Sequence, residues 1–139
     1  MAPDGAPNSR AGSGSAGTFS PFLLGFDVLG VIAFVVIGRS AHAKGESLAG
    51  IASTAWPFLA GMAAGWLAGS AWRRPAALLP TGVAAWLCCV VLGMVLRVAA
   101  GQGTAAAFVA VALGFLALPM LGWRALARLF RGRRLRTPA

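Results

Sequence analysis

The chain has 139 residues, 58% hydrophobic and only 11% charged, with a formal net charge of +9 from 12 Lys+Arg against 3 Asp+Glu. A soluble domain carries about 25% charged residues, so this chain could not cover its own surface in water. Its cations sit at the ends of apolar blocks and in the C-terminal segment, where membrane topology needs them, which excludes the nucleic-acid partner a basic chain first suggests.

Residues 1–20 are Gly, Ser, Ala and Pro with Asp4 and Arg10, and a disordered tail is expected. The first apolar span is predicted over 21–38, closed by Arg39. Ala41-His42-Ala43 fits a signal-peptide cleavage pattern, but Asp27 interrupts the apolar block and its flank is only weakly basic, which favours a retained span. A polar loop with His42, Lys44 and Glu46 follows. The second span is predicted over 54–72, the third over 82–98 and the fourth over 104–123, each near the ~20 residues a bilayer requires. The expected fold is therefore an all-α, integral membrane four-helix bundle over 21–124, followed by a basic cytoplasmic tail over 125–139.

Four spans put both termini on one side. Six arginines from Arg124 onward, with Arg73 and Arg74, mark that side as cytoplasmic. The other side holds Arg39, Lys44 and Arg97, partly offset by Glu46. Abundant Arg, Ala and Gly suggest a bacterial source, so the expected location is the bacterial cytoplasmic (inner) membrane. Two features repeat along the chain. Thr54-Ala55 with Phe58 opens span two, as Thr104-Ala105 with Phe108 opens span four, and Trp72-Arg73 and Trp123-Arg124 close them. Two tandem hairpins related by a pseudo-twofold axis along the membrane normal would produce this, as in some transporters. Topology alone also would, because Thr caps helices and Trp-Arg anchors them at an interface.

Asp27 is the sharpest single feature. It lies roughly 8 Å inside the first span, where an unpaired carboxylate costs about 2.5–3.5 kcal/mol. Gly30, Phe34 and Gly38 share its face, so it should point into the bundle toward Arg73, Arg74 or Arg124, with Arg124 the favoured partner. One reading makes it a buried pair that sets helix register, another a proton- or cation-linked site. At the opposite end Arg39, His42, Thr54, Arg97 and Thr104 form a candidate anion site, against the plainer reading of snorkelling arginines and capping threonines. Gly61, Gly65 and Gly69 repeat every fourth residue and serve helix packing within the bundle or a homodimer seam. Pro57 is placed in the first turn of span two, where its missing N–H is harmless, and Pro119 should kink span four. Cys88 and Cys89 are adjacent in an apolar block and read as packing residues. No ligand cluster signals a metal or cofactor. The tail, with Leu126, Leu129 and Phe130 on one face and Arg124, Arg128 and Arg131 largely on the other, reads as a contact for anionic lipid.

Several stretches carry a resemblance. They are 34–39 with His42, Thr54-Ala55-Trp56-Pro57-Phe58-Leu59, Gly93-Met94 with Arg97, Gly103-Thr104-Ala105 and Leu121-Gly122-Trp123-Arg124. Over about residues 25–125 the chain resembles a family of small bacterial and archaeal membrane proteins catalogued as a domain of unknown function (3054). The resemblance implies four helices and brings no activity or site residue. Three functions are compared on the residues alone. The first is an accessory subunit packing against a larger membrane partner, suggested by the glycine stripe. The second is a small proton- or anion-conducting transporter or channel, dimeric or not, suggested by Asp27 and the arginines. An enzyme is the least supported, because Asp27 and Glu46 are the only acids in or near the spans.

Overall fold

The computed structural model describes residues 21–41 and 47–134. The expectations for the 1–20 tail, the Ala41-His42-Ala43 cleavage pattern, His42 and the last residues of the basic tail fall wholly or partly outside the described residues. The described chain is α-helical, with no strand among these residues. Its helices are α1 (Pro21–Ala41), α2 (Leu48–Ala68), α3 (Val83–Ala99) and α4 (Ala106–Arg134), with a short helical turn Leu78–Gly82 leading into α3. All four, counting that turn with α3, are long and apolar enough to cross a membrane.

Each helix packs on two others: α1 on α2 and α4, α3 on α2 and α4. Phe34, Phe58, Met62, Cys89, Val90, Leu116 and Met120 form the middle of the buried core. By far the closest packing is between α2 and α3, and small residues cause it. A Cβ built on Gly65 would lie 2.5 Å from Ala85 Cα, and one on Gly61 would lie 2.6 Å from the Cys88 carbonyl oxygen. One on Gly69 would lie 2.8 Å from Thr81 Cα. The glycine stripe is thus used inside the molecule, with α3 as its partner. On the α1–α4 side Gly30 makes the close approach, its absent Cβ 2.8 Å from Pro119 Cγ. The two hairpins pack alike internally, α1 on α2 and α3 on α4, but their two contacts with each other differ, α1–α4 being far sparser than α2–α3. The hairpin repeat seen in the sequence is thus matched within the hairpins and not between them.

The start of α2 differs from expectation. The helix begins at Leu48, capped by Ser47, whose Oγ accepts from Gly50 N at 3.1 Å. Only Leu48 and Ile51 are large apolar residues before Thr54, and Gly50 between them weakens the helical signal, which hid this boundary. Two corrections follow. Thr54 is not a cap, and its hydroxyl instead donates to the Gly50 carbonyl at 2.9 Å. Pro57 lies inside the helix rather than in its first turn. A proline there leaves the carbonyl four residues earlier, Ser53, without its helical donor. The Gln102 side-chain amide donates to that oxygen at 2.8 Å, tying the α3–α4 loop to α2. Gln102→Ala should therefore cost about 1 kcal/mol. Adding Pro57→Ala should recover part of that loss, because the new N–H can take the Ser53 carbonyl. Thermal unfolding of both single variants and the double variant in detergent measures this, and strictly additive losses would contradict it.

α4 differs at both ends. Its first helical bond is Val109 N to the Ala105 carbonyl, so Thr104 precedes the helix rather than capping it. It then continues through Arg134 without a break at residue 123. At 1.5 Å per residue its 29 residues reach about 43 Å, well beyond the ~30 Å apolar layer.

Candidate functional site

Polar side chains gather in two layers, one at each end of the helices, separated by the apolar core. In the first, Asp27 and Arg124 are fully buried and pair through both nitrogens, Nη1 to Oδ1 and Nη2 to Oδ2, each at 2.7 Å. Trp123 Nε1 donates to Oδ1 and Trp66 Nε1 to Oδ2, both at 3.0 Å. The carboxylate thus accepts four N–H bonds. Arg124 also donates from Nε to the Pro75 carbonyl at 3.0 Å and from Nη1 to the Met120 carbonyl at 2.5 Å. Its guanidinium lies 4.4 Å from the Trp123 ring centroid. The layer joins α1, α2, α4 and the α2–α3 loop in one network. Gly82 permits it, since a Cβ there would lie 2.7 Å from Arg124 Cδ.

Of the three partners considered for Asp27, Arg124 is the one it meets, while Arg73 and Arg74 are exposed. Trp123 was read as an interfacial anchor like Trp72. It is instead a donor to Asp27, while Trp72 stays half exposed. A carboxylate with every lone-pair direction occupied has no vacant position for an incoming proton or cation. Sequence reasoning missed Trp66 and Trp123 as its partners. The signal available was an indole N–H, which in lipid must find an acceptor.

At the other end, Arg39, Thr54 and Arg97 come together as the residue pattern anticipated. They line one cavity of about 590 Å³ with Phe34, Val35, Gly38, Ser53, Gln102 and Phe108. Arg39 closes α1 and its Nη1 donates to Thr54 Oγ1 at 3.1 Å. Gly50 leaves room for that guanidinium. Arg97 lies in the last turn of α3. Its Nη1 donates to Gln102 Oε1 at 2.9 Å and its Nη2 reaches the Gly103 carbonyl at 3.4 Å. Its guanidinium lies 4.7 Å from the Phe108 centroid and 5.9 Å from that of Phe58. Its Nε is buried with no hydrogen-bond partner among the described residues. Thr104 is not among the lining residues, and His42 lies outside the described ones. Gln102 and Ser53 are additions the sequence did not single out, and Phe108, singled out there only as part of the repeat, joins them. Gln102 and Thr104 are the two polar side chains of an otherwise small-residue loop, which was the only signal for Gln102.

Asp27 is the one acid among the described residues, and Arg124 occupies it. Arg97 therefore has only neutral acceptors and aromatic faces around it there. A cation on aromatic faces keeps its charge while losing water, which strengthens its attraction for an anion.

Four apolar spans, with a buried polar layer at one end and a partly exposed one at the other, define a small polytopic helical membrane protein. The chain belongs to the family described as a protein of unknown function, DUF3054, whose model matches residues 24–127. No curated protein and no solved structure matches it.

Proposed function

We propose that this chain is a binding module of the bacterial cytoplasmic membrane that holds an anion in the Arg39/Arg97 cavity. The observation that carries it is Arg97, a cation set on Phe108 with no carboxylate partner among the described residues, lining the same cavity as a second arginine. The positive-inside rule puts the arginine-rich end in the cytoplasm and so the cavity on the external side. Passage through the bundle is not part of this reading. Asp27, the reason to consider a proton path, is saturated by four donors. Val31, Phe58, Met62, Cys89 and Leu116 fill the layer between the two ends. Nor is catalysis part of it, because Asp27 has no free lone pair with which to act as a base. The accessory-subunit reading keeps the lack of catalytic groups but loses the support of the glycine stripe, since Gly61, Gly65 and Gly69 pack against α3 and the turn before it.

The tail supports a second contact. Leu126, Leu129 and Phe130 are exposed on the extension of α4, with Arg128, Arg131 and Arg133 also exposed. This is the composition of a segment that rests on anionic lipid at the cytoplasmic surface, worth about 1 kcal/mol per basic residue.

The test is equilibrium binding to the whole chain in neutral-lipid nanodiscs at low ionic strength, with inorganic phosphate and phenyl phosphate as probes. At least one should bind saturably, and Arg97→Gln should weaken it tenfold or more, the value of a charge-assisted hydrogen bond of about 1.5–3 kcal/mol. Absence of saturable binding of either probe, or an unchanged affinity in Arg97→Gln, contradicts the reading.

A further inference from the structure

The cavity has two unlike halves. One wall is polar: Arg39 at the end of α1, Ser53 and Thr54 on α2, Arg97 on α3 and Gln102 in the following loop. The rest is apolar: Phe34, Val35 and Gly38 on α1, and Phe108 on α4. Phe34 is the centre of an aromatic cluster, with ring centroids 5.4 Å from Phe58, 5.7 Å from Phe108 and 5.6 Å from Phe115. The polar wall is internally tied, by Arg39 to Thr54, Arg97 to Gln102 and Gln102 to Ser53, so its donors are held in place. Gly38 adds space, since a Cβ built there meets nothing within 4 Å.

The cavity, about 590 Å³, lies within the ~300–1,000 Å³ range of small-molecule sites. An inorganic anion would answer the charge of Arg97 but leave the phenylalanine side of such a space unfilled. A purely apolar guest would cover the phenylalanines and strip water from Arg97 without replacing it, which is costly.

From this two-sided lining, and resting on the anion-binding reading above, we infer that the ligand is amphipathic: one anionic head, phosphate or carboxylate, at Arg39 and Arg97, joined to a compact apolar body that packs on Phe34 and Phe108. Two sources offer that chemistry, a lipid of the external leaflet that offers its headgroup and upper chain, or a soluble organic anion entering from outside. Both place the charge beside Arg97 and the carbon skeleton against Phe108.

The experiment uses the full chain in neutral-lipid nanodiscs and compares inorganic phosphate with phenyl phosphate on the unmutated protein. Phenyl phosphate should bind at least tenfold tighter. Phe108→Leu should reduce that preference severalfold, weakening phenyl phosphate more than inorganic phosphate, which loses only the ring beneath Arg97. Equal affinity for the two probes would overturn the amphipathic assignment and leave anion binding itself intact. Failure of both probes to bind would remove the anion-binding reading as well, so the two failures are distinguishable. Because the comparison of probes needs no variant, it holds even if Phe108→Leu is poorly folded. Competition with dihexanoyl phosphatidylglycerol separates the sources. Displacement of phenyl phosphate supports a lipid ligand, and a lack of displacement supports a soluble one.

Discussion

Asp27→Ala should lower the stability of the folded protein by about 3–5 kcal/mol, the cost of leaving one member of a buried ion pair alone. A typical domain has only about 5–15 kcal/mol in total, so the variant should lose much of its margin. The size follows from how completely the two groups depend on each other. Both are fully buried, and the carboxylate supplies both acceptors for Arg124 Nη1 and Nη2 as well as those for the Trp66 and Trp123 indoles. Removing it strands a guanidinium and two N–H groups where water cannot replace it. Arg124→Met should be comparably damaging, because it strands the carboxylate. The double variant Asp27→Ala/Arg124→Met should be markedly better than the sum of the two, since it leaves no buried charge. Unfolding of the four proteins in detergent forms the thermodynamic cycle. Single variants within about 1 kcal/mol of the parent would show that the pair is not a structural clamp.

Gly65→Val should be the most damaging change in the α2–α3 contact, at about 3 kcal/mol or more. A Cβ at Gly65 would lie 2.5 Å from Ala85 Cα and 2.6 Å from the Ala84 carbonyl oxygen. Both are backbone atoms on a helix, which cannot swing aside as a side-chain end can, so α2 and α3 must separate. Gly114→Ala is the matched control. A Cβ there meets nothing within 4 Å, so it should be neutral or gain up to about 1 kcal/mol from helix propensity. The pair is read by thermal unfolding and by expression in the membrane. Equal behaviour would mean that the close approach of α2 and α3 does not hold the fold.

The legible parts of this protein were those set by the bilayer itself. Apolar runs near the length of a spanning helix revealed four spans, and a lone acid within one of them required an arginine, which Arg124 supplies. The family membership agrees with the resemblance read from stretches such as Thr54-Ala55-Trp56-Pro57. Helix ends were less legible where small or polar residues continue a helix. Leu48 and Ile51 are the only large apolar residues before Thr54 and Gly50 lies between them, yet Ser47 caps a helix that begins there. The length of α4 was hidden for the same reason, because arginine is a good helix former and does not stop the chain at residue 123. The hairpin repeat was visible in residue types and within each hairpin but not between them, since three glycines bring α2 onto α3 whereas Gly30 alone makes a close approach between α1 and α4. For the cavity, Arg39, Arg97 and Thr54 could be grouped by topology. Gln102 could not, because its role depends on a carbonyl freed by Pro57, and that requires knowing where α2 begins.

Binding without passage is the central claim, and uptake of radiolabelled phenyl phosphate by proteoliposomes tests it most directly. With the cavity open at one end and the apolar layer and the Asp27–Arg124 clamp beyond it, bound label should rise quickly and stop at about one equivalent per outward-facing chain. It should be lost in Arg97→Gln. Steady accumulation in the lumen beyond that level would contradict the account and make the bundle a conduit, and no bound label at all would leave the Arg39/Arg97 cavity without the role assigned to it.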